Sequence, residues 1–135
     1  MKVLVCGGRK YSDKVTVWGW LQAIHLKHGI DRVIQGGADG ADKLALKWCL
    51  DQSIECWNVP ADWTDLSQPD AVIKARRDGT KYDAKAGSRR NQRMLDEGRP
   101  DVVVAFPGGT GTADMMRRAV KAGVRVFEPV KRTRA

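Results

Sequence analysis

The chain has 135 residues, the size of one ordinary domain, and this length can bury a hydrophobic core without disulfides or structural metals. Its net charge of +8 at pH 7 favours anionic partners such as nucleotides or nucleic acid, although a basic surface can also be merely solvated. Its three cysteines include no C-x-x-C pair, and no apolar segment is long enough for a signal sequence or a bilayer span. We therefore expect a cytoplasmic protein without a disulfide scaffold or a membrane partner.

The first predicted elements are a strand and a helix joined by a glycine turn. Residues 2–6 are apolar without alternation, which indicates a parallel strand buried on both faces. The strand ends at Gly7-Gly8-Arg9, where a cation lies beside the turn. Asp13 is predicted to cap a helix that extends to about residue 28. His25 and His28 share a face of this helix, but no carboxylate or cysteine cluster accompanies them, so no metal site is predicted.

A second glycine loop follows the next predicted strand, residues 32–35. Gly36-Gly37-Ala38-Asp39 leads into a helix predicted from residue 41 to about residue 50. Asp39 and Asp42 can hold ligand hydroxyls or cap this helix. The helix is apolar almost all round, which predicts burial on two sides and a subunit interface, so we expect a homo-oligomer, most simply a dimer.

The third predicted strand, residues 54–60, is followed by an aromatic residue and a polar segment. Trp63 can stack on a nucleobase or can cover an edge of the core. Residues 66–85 are polar and without a clear period, and they are interpreted as an excursion that is either a solvated loop or a mobile lid. Its cations are Lys74, Arg76, Arg77, Lys81 and Lys85.

The last third of the chain repeats the alternation of helix and strand. A helix is predicted to start with Ser88 as its N-cap and to end at Gly98, and a β-branched strand follows at residues 102–106. After a third glycine loop, a helix is predicted over residues 112–122 and a strand over residues 124–127. A basic tail, residues 128–135, ends the sequence and includes Lys131, Arg132 and Arg134.

Five strands alternating with four helices predict the fold class. The pattern is typical of an α/β domain: a single Rossmann-like three-layer structure with a mostly parallel five-stranded sheet, spanning residues 1–135. In such sheets ligands bind beyond the carboxyl ends of the strands. The three glycine loops and Trp63 are therefore expected to meet on one rim.

The third glycine loop, Pro107-Gly108-Gly109-Thr110-Gly111-Thr112, is the strongest functional signal. Glycines let a backbone approach a ligand closely, a helix N-terminus favours phosphate, and Thr110 and Thr112 add hydroxyl donors. The alternative is an ordinary glycine-rich connection with Thr112 as the N-cap. No Lys-Ser or Lys-Thr follows Gly111 and no third glycine completes G-x-G-x-x-G, which argues against nucleoside-triphosphatase and dinucleotide-binding loops.

The loop resembles the P-G-G-x-G-T signature of the SLOG superfamily, which includes nucleoside-monophosphate phosphoribohydrolases, DprA-like DNA-binding proteins and sensors of NAD-derived nucleotides. The opening Val-Cys-Gly-Gly-Arg, the segment Gln-Gly-Gly-Ala-Asp-Gly-Ala-Asp, Ala61-Asp62-Trp63 and residues 90–95 are similar to the small YspA/YpsA-related SLOG proteins of bacteria and phages. This resemblance covers most of the chain and implies a nucleotide-binding domain with no cofactor.

The phosphoribohydrolase branch has the patterns R-K-x-x-M and P-G-G-x-G-T-x-x-E. Arg90 and Met94 match the first pattern, with Asn91 in place of the lysine. In the second pattern Met115 replaces the glutamate implicated in catalysis, and Asp114 lies one residue earlier. A thioether cannot stabilise an oxocarbenium-like transition state. The resemblance therefore implies that the binding function remains and that hydrolysis would depend on Arg90 and Asp114.

The sequence thus predicts a protein that senses or sequesters a nucleotide or nucleotide-derived signal, with signals derived from NAD or ADP-ribose among the candidates. A nucleotide N-glycosidase and a DprA-like single-stranded nucleic-acid-binding protein are the two alternatives. For the last of these, the predicted surface includes Arg76, Arg77, Arg89, Arg90 and the basic tail. The predicted ligand-binding residues are Gly7, Gly8, Arg9, Gly36, Gly37, Asp39, Trp63, Arg90, Asn91, Pro107, Gly108, Gly109, Thr110, Gly111 and Thr112.

Overall fold

A computed structural model describes residues 1–130 of the chain, and its main feature is a five-stranded parallel sheet. The helices are α1 (Lys14–His28), α2 (Ala41–Gln52), α3 (Ala86–Gly98) and α4 (Thr110–Lys121). The sheet strands are β1 (Lys2–Cys6), β2 (Arg32–Gln35), β3 (Glu55–Asn58), β6 (Val102–Ala105) and β7 (Arg125–Phe127), and a separate hairpin contains β4 (Ile73–Ala75) and β5 (Lys81–Asp83). The predicted α/β fold with its alternating elements is confirmed.

The sheet is buried on both faces because its central strands carry consecutive apolar side chains, Val3 to Cys6 in β1 and Val102 to Ala105 in β6. Along β1, Val3 and Val5 join the cluster that α1 and α2 cover, while Leu4 contributes to the cluster under α3 and α4. Three layers result, with α1 and α2 on one face and α3 and α4 on the other. This burial of successive residues explains why the strand sequences do not alternate between apolar and polar residues.

The strand order β3-β2-β1-β6-β7 reverses direction between β1 and β6. The first crossovers build the sheet outwards from β1 to β3, and the chain then returns to the other side of β1 to add β6 and β7. Such a reversal opens a crevice between the loops that leave the two central strands, and ligands of open α/β sheets bind there. In this chain these are the loops that begin at Gly7 and Phe106.

Several predicted helix ends are confirmed and two are wrong. Asp13 caps α1 by accepting the N–H of Thr16, and Gly29 ends that helix with a positive φ. The predicted N-cap Ser88 lies inside α3, which begins two residues earlier. Thr112 is likewise not an N-cap, because α4 begins at Thr110 and Gly109 occupies the cap position.

Helix α2 is covered on two sides, as its composition predicts. The sheet covers one side and α1 covers the other. Trp48 and Cys49 are buried between the helices and the sheet, whereas Leu50 is 73% exposed. The packing of α1 on α2 accounts for most of the apolar surface that suggested a subunit interface, and a homodimer stays a prediction. Cys6 and Cys49 are buried core residues and Cys56 is half-buried, and none of the three forms a disulfide.

Residues 66–85 contain more structure than the sequence indicates. The strands β4 and β5 pair in antiparallel fashion, and the buried carboxylate of Asp83 fixes the base of this hairpin. Asp83 accepts the N–H groups of Val72 and Lys85 and pairs with Arg89 at 2.9 Å. The cations Lys74, Arg76, Arg77 and Lys81 are exposed on the hairpin. Residues 131–135 of the predicted basic tail lie outside the described residues.

No helix within residues 1–130 has the length and apolar character needed to cross a bilayer.

Candidate functional site

A cavity of about 570 Å³ lies at the reversal of strand order, where the loops after β1 and β6 meet the first turns of α3 and α4. Its size is within the range that small-molecule sites occupy. The loops after β2 and β3 contribute Ala38 and Trp63 to its wall. The first turns of α2, α3 and α4 all contribute lining residues, and each helix N-terminus adds a partial positive charge.

The cavity brings together eleven of the residues that the sequence singles out. They are Gly7, Gly8, Arg9, Trp63, Arg90, Asn91, Gly109, Thr110, Gly111, Thr112 and Asp114. Five other predicted residues do not line it: Gly36, Gly37, Asp39, Pro107 and Gly108. Asp39 is exposed, and Gly36 is buried behind Arg90. Ligand contact stays a prediction for all of them.

The N-terminus of α4 is open towards the cavity. No side chain caps it and no acidic residue lies in its first turn. The first-turn amides of Thr110, Gly111 and Thr112 therefore have no partner within the helix. Because these amides carry the positive end of the helix dipole, this end of the cavity is suited to an anion.

The glycines of the rim serve two different purposes. A Cβ on Gly8 would lie 3.0 Å from the carbonyl oxygen of Pro107, and one on Gly108 would lie 2.7 Å from the Gly8 nitrogen and overlap Thr112 Oγ1. These glycines are needed because two loops pack closely. A Cβ on Gly109 or Gly111 would meet no atom within 4 Å. Internal packing does not explain these two glycines, and both face the cavity.

Arg90 holds two rim loops together as well as lining the cavity. Its Nη1 donates to the carbonyl oxygens of Gly36 at 2.6 Å and Val59 at 3.3 Å, and its Nε donates to Asn91 Oδ1 at 3.1 Å. Burial lowers the pKa of Arg90, which the nearby Asp42 carboxyl partly offsets. Substitution of Arg90 would therefore disturb the rim itself as well as the cavity wall.

Asp114 lines the cavity, and its carboxylate already accepts three hydrogen bonds from side chains of this chain. It accepts from Asn91 Nδ2 at 3.0 Å, Arg117 Nη2 at 3.0 Å and Arg118 Nε at 2.9 Å. Burial opposes ionisation of this carboxyl, but the hydrogen bonds from Asn91 and Arg118 outweigh it and lower the Asp114 pKa. Asn91, at the lysine position of the phosphoribohydrolase pattern, also donates to the Gly111 carbonyl at 3.2 Å and so ties α3 to the start of α4.

Met115 is fully buried in the core cluster beneath α3 and α4 and does not line the cavity. The helical turn that directs Asp114 into the cavity directs the next residue into the sheet. The residue that replaces the glutamate of the phosphoribohydrolase pattern is therefore a core residue in this chain. A carboxylate at residue 115 would be buried without a partner.

Asp42, which the sequence offers as a ligand for hydroxyls or as a helix cap, lines the cavity. It was weighed as a helix cap, but its Oδ2 instead accepts the N–H groups of Gly36 at 3.2 Å and Ala38 at 3.3 Å in the preceding loop. Burial raises the pKa of Asp42 to about 6, although those hydrogen bonds and the Arg90 charge favour the ionised form. The signal available in the sequence was its place one residue inside α2, beside a glycine loop.

Trp63 and Arg9 form one wall of the cavity. The Arg9 guanidinium carbon lies 5.8 Å from the centroid of the Trp63 ring. The edge of the Trp63 six-membered ring packs against Gly87 at the start of α3, where a Cβ would lie 2.9 Å from the ring. The ring is held in place and lines the cavity, so it can offer a flat surface to a planar group. Ser88 and Arg117 also line the cavity and were not predicted.

The fold is that of a Rossmann-like domain with a glycine-lined cavity, and comparison with known proteins identifies its family. The model of the YspA, cpYpsA-related SLOG family matches residues 1–65. The Gene 61 protein of Mycobacterium phage D29 is 36% identical over 129 residues, which covers 93% of this chain and 94% of that protein. The chain belongs to the YspA, cpYpsA-related SLOG family.

A solved structure, UDP-N-acetylglucosamine 2-epimerase from Rickettsia bellii, is similar with a TM-score of 0.44 and 17% sequence identity. The match covers 94% of this chain and 30% of that chain.

Proposed function

We propose that this protein binds a nucleotide or a nucleotide-derived signal in the cavity at the reversal of strand order. The observation that carries the proposal is the uncapped start of α4, where Gly109 and Gly111 have open space above them. A phosphate there can accept the first-turn amides of α4 while Arg9 supplies a counter-charge. Trp63 lies on the same cavity wall and can stack on a base.

Binding without turnover is supported by the state of the carboxylates. Asp114 is held by two arginines and an asparagine, and residue 115 contributes no carboxylate to the cavity. A sensor or a sequestering protein needs only the phosphate site, the stacking wall and the counter-charge. We therefore expect a nucleotide to be retained intact.

Isothermal titration calorimetry with nucleoside mono- and diphosphates of the four bases tests the proposal. Arg9→Ala should weaken binding by about tenfold, the size expected for one charge-assisted contact to phosphate. Lys27→Ala is the matched control, because it removes one exposed cation near the end of α1 distant from the cavity. If none of the nucleotides binds the wild-type protein, the proposal is wrong.

One observation favours a second candidate function, an N-glycosidase. Asp42 and Asp114 line the same cavity with pKa values displaced in opposite directions, which is the pattern of an acid and an ionised carboxylate. Asp42 would protonate a departing base, and Asp114 would stabilise the positive charge that develops on the ribose.

Chromatography after incubation with nucleoside monophosphates separates the two functions. Intact nucleotide supports a binding protein. Release of base that both Asp42→Asn and Asp114→Asn abolish would establish hydrolysis, and both variants keep side chains of nearly the same size in the cavity.

A further inference from the structure

A second concavity adjoins the candidate site across a ridge of backbone. It has a volume of about 480 Å³ and is lined by Gly8, Arg9, Lys10, Tyr11, Pro107, Gly108 and Gly109. Gly8, Arg9 and Gly109 line both concavities. We call the first concavity the nucleotide cavity and the second the tyrosine groove.

The ridge between the two is low because it consists of glycine. Gly8 donates its N–H to the Pro107 carbonyl at 2.9 Å, so the loops after β1 and β6 are joined edge to edge. Gly109 presents no side chain above this junction, and a Cβ placed there would meet nothing within 4 Å. An extended ligand can therefore cross from one concavity to the other over backbone alone.

The tyrosine groove has a chemistry of its own. Lys10 and Arg9 supply two exposed cations, no carboxylate is among its lining residues, and neither cation forms an ion pair within residues 1–130. The Tyr11 ring stacks on Phe106 with centroids 5.6 Å apart, and the Tyr11 N–H donates to the Gly8 carbonyl at 3.1 Å. The groove thus combines a fixed aromatic wall with positive charge, which suits a second anionic group and an attached sugar or ring.

We propose that the two concavities form one bipartite site for a nucleoside diphosphate ester. The nucleoside occupies the nucleotide cavity beside Trp63, the phosphates cross the ridge from the α4 N-terminus to Arg9 and Lys10, and the esterified group lies in the tyrosine groove. A nucleoside monophosphate would leave Lys10 and Tyr11 without a ligand contact. This inference rests on the proposed function and names the class of nucleotide that the site selects.

Calorimetry on three matched series tests the inference: AMP, ADP and ADP-ribose; UMP, UDP and UDP-glucose; GMP, GDP and GDP-mannose. In at least one series we expect affinity to rise by about tenfold or more from the monophosphate to the ester, as one added charge-assisted contact would give. Lys10→Glu should remove that increase and leave monophosphate affinity within about twofold of wild type. Lys14→Glu is the control, since Lys14 lies over the Trp18 ring on α1 and lines neither concavity.

The outcomes separate this inference from the proposed function. Equal affinity for monophosphate and ester would overturn the bipartite site while the nucleotide cavity remains supported. An increase that persists in Lys10→Glu would also overturn it, because the tyrosine groove would then not be the source. If no member of any series binds, both the proposed function and the bipartite site are wrong.

Discussion

At the scale of single residues, two adjacent glycines allow the phosphate site to be tested apart from the fold. We expect Gly109→Val to fold with a loss of at most about 1 kcal/mol, the usual cost of a poor N-cap residue, because its side chain enters open space. The same side chain would displace phosphate. Wild-type protein should gain about 2.7 kcal/mol from a nucleotide at a hundred times its dissociation constant, and the variant should gain almost none.

Gly108→Val is the contrasting variant. Its side chain would overlap Thr112 Oγ1 and crowd the Gly8 nitrogen, so we expect unfolding at markedly lower temperature even without a ligand. Thermal denaturation with and without nucleotide measures both effects. Full ligand stabilisation in Gly109→Val would show that phosphate does not bind at the start of α4.

Asp42 gives a prediction about pH. Its pKa is about 6 in the folded protein and close to 3.8 when exposed, so folding favours the protonated form. Its contribution to the free energy of unfolding is therefore greatest below about pH 4 and is lost as the pH rises through about 6. The displacement corresponds to at most about 3 kcal/mol.

Urea denaturation between pH 4.5 and 8 measures this contribution as the difference between wild type and Asp42→Asn. The variant should become more stable relative to wild type as the pH rises through about 6. Asp39→Asn, which removes an exposed carboxylate from the same loop, is the control variant. A constant difference between wild type and Asp42→Asn would contradict the raised pKa.

At the scale of elements, a strand can be predicted from the sequence when its burial requires a recognisable run of apolar residues. The strands β1 and β6 were predicted within one residue of their observed ends, because a strand buried on both faces is a continuous apolar run. The hairpin strands β4 and β5 have three residues each and are mostly exposed, so they leave no such run. Their pairing depends on Asp83, whose contacts reach eleven residues back to Val72.

The start of α3 also differs from the prediction, because it depends on a contact outside the helix. Ser88 matches the preference for an N-cap, but the Lys85 N–H is already bound by Asp83, and the helix begins immediately afterwards. The contact that precedes the start of α3 comes from the hairpin, and local propensity within α3 does not indicate it.

The hairpin gives a prediction at this scale. Asp83→Ala removes the acceptor for Val72 and Lys85 and the partner of Arg89, and we expect the hairpin to separate from α3 while the five-stranded sheet stays folded. Trypsin should then cleave after Arg76 and Arg77 several times faster than in wild type, which mass spectrometry of the fragments measures. Asp96→Ala, an exposed carboxylate on α3, is the control. Unchanged cleavage in Asp83→Ala would show that other contacts hold the hairpin.

At the scale of the whole molecule, the chain carries a net charge of +8, and the cations among the described residues differ in how many of them are paired. Several arginines on α3 and α4 are paired with carboxylates of the same chain: Arg89 with Asp70 and Asp83, Arg93 with Glu97, and Arg117 and Arg118 with Asp114. Arg90 is held by two backbone carbonyls. Within residues 1–130, the cations of the hairpin form no ion pairs, although Arg76 lies over the Tyr82 ring. Of the arginines predicted to bind nucleic acid, Arg89 and Arg90 are therefore already bound to groups of this chain. Arg76 and Arg77 are exposed.

This distribution predicts that polymer binding and nucleotide binding respond to different variants. A single-stranded oligonucleotide should bind the exposed hairpin weakly, and its affinity should fall with salt at a log–log slope of about −0.7 per phosphate contacted. The double variant Lys74→Glu with Arg77→Glu should weaken oligonucleotide binding severalfold and leave nucleotide affinity unchanged. Gly109→Val should remove nucleotide affinity and leave oligonucleotide binding unchanged. Fluorescence anisotropy of a labelled oligonucleotide from 50 to about 300 mM salt, with unlabelled nucleotide as competitor, measures both. Oligonucleotide binding that a mononucleotide displaces and that Gly109→Val abolishes would instead place the polymer in the nucleotide cavity and favour a nucleic-acid-binding function.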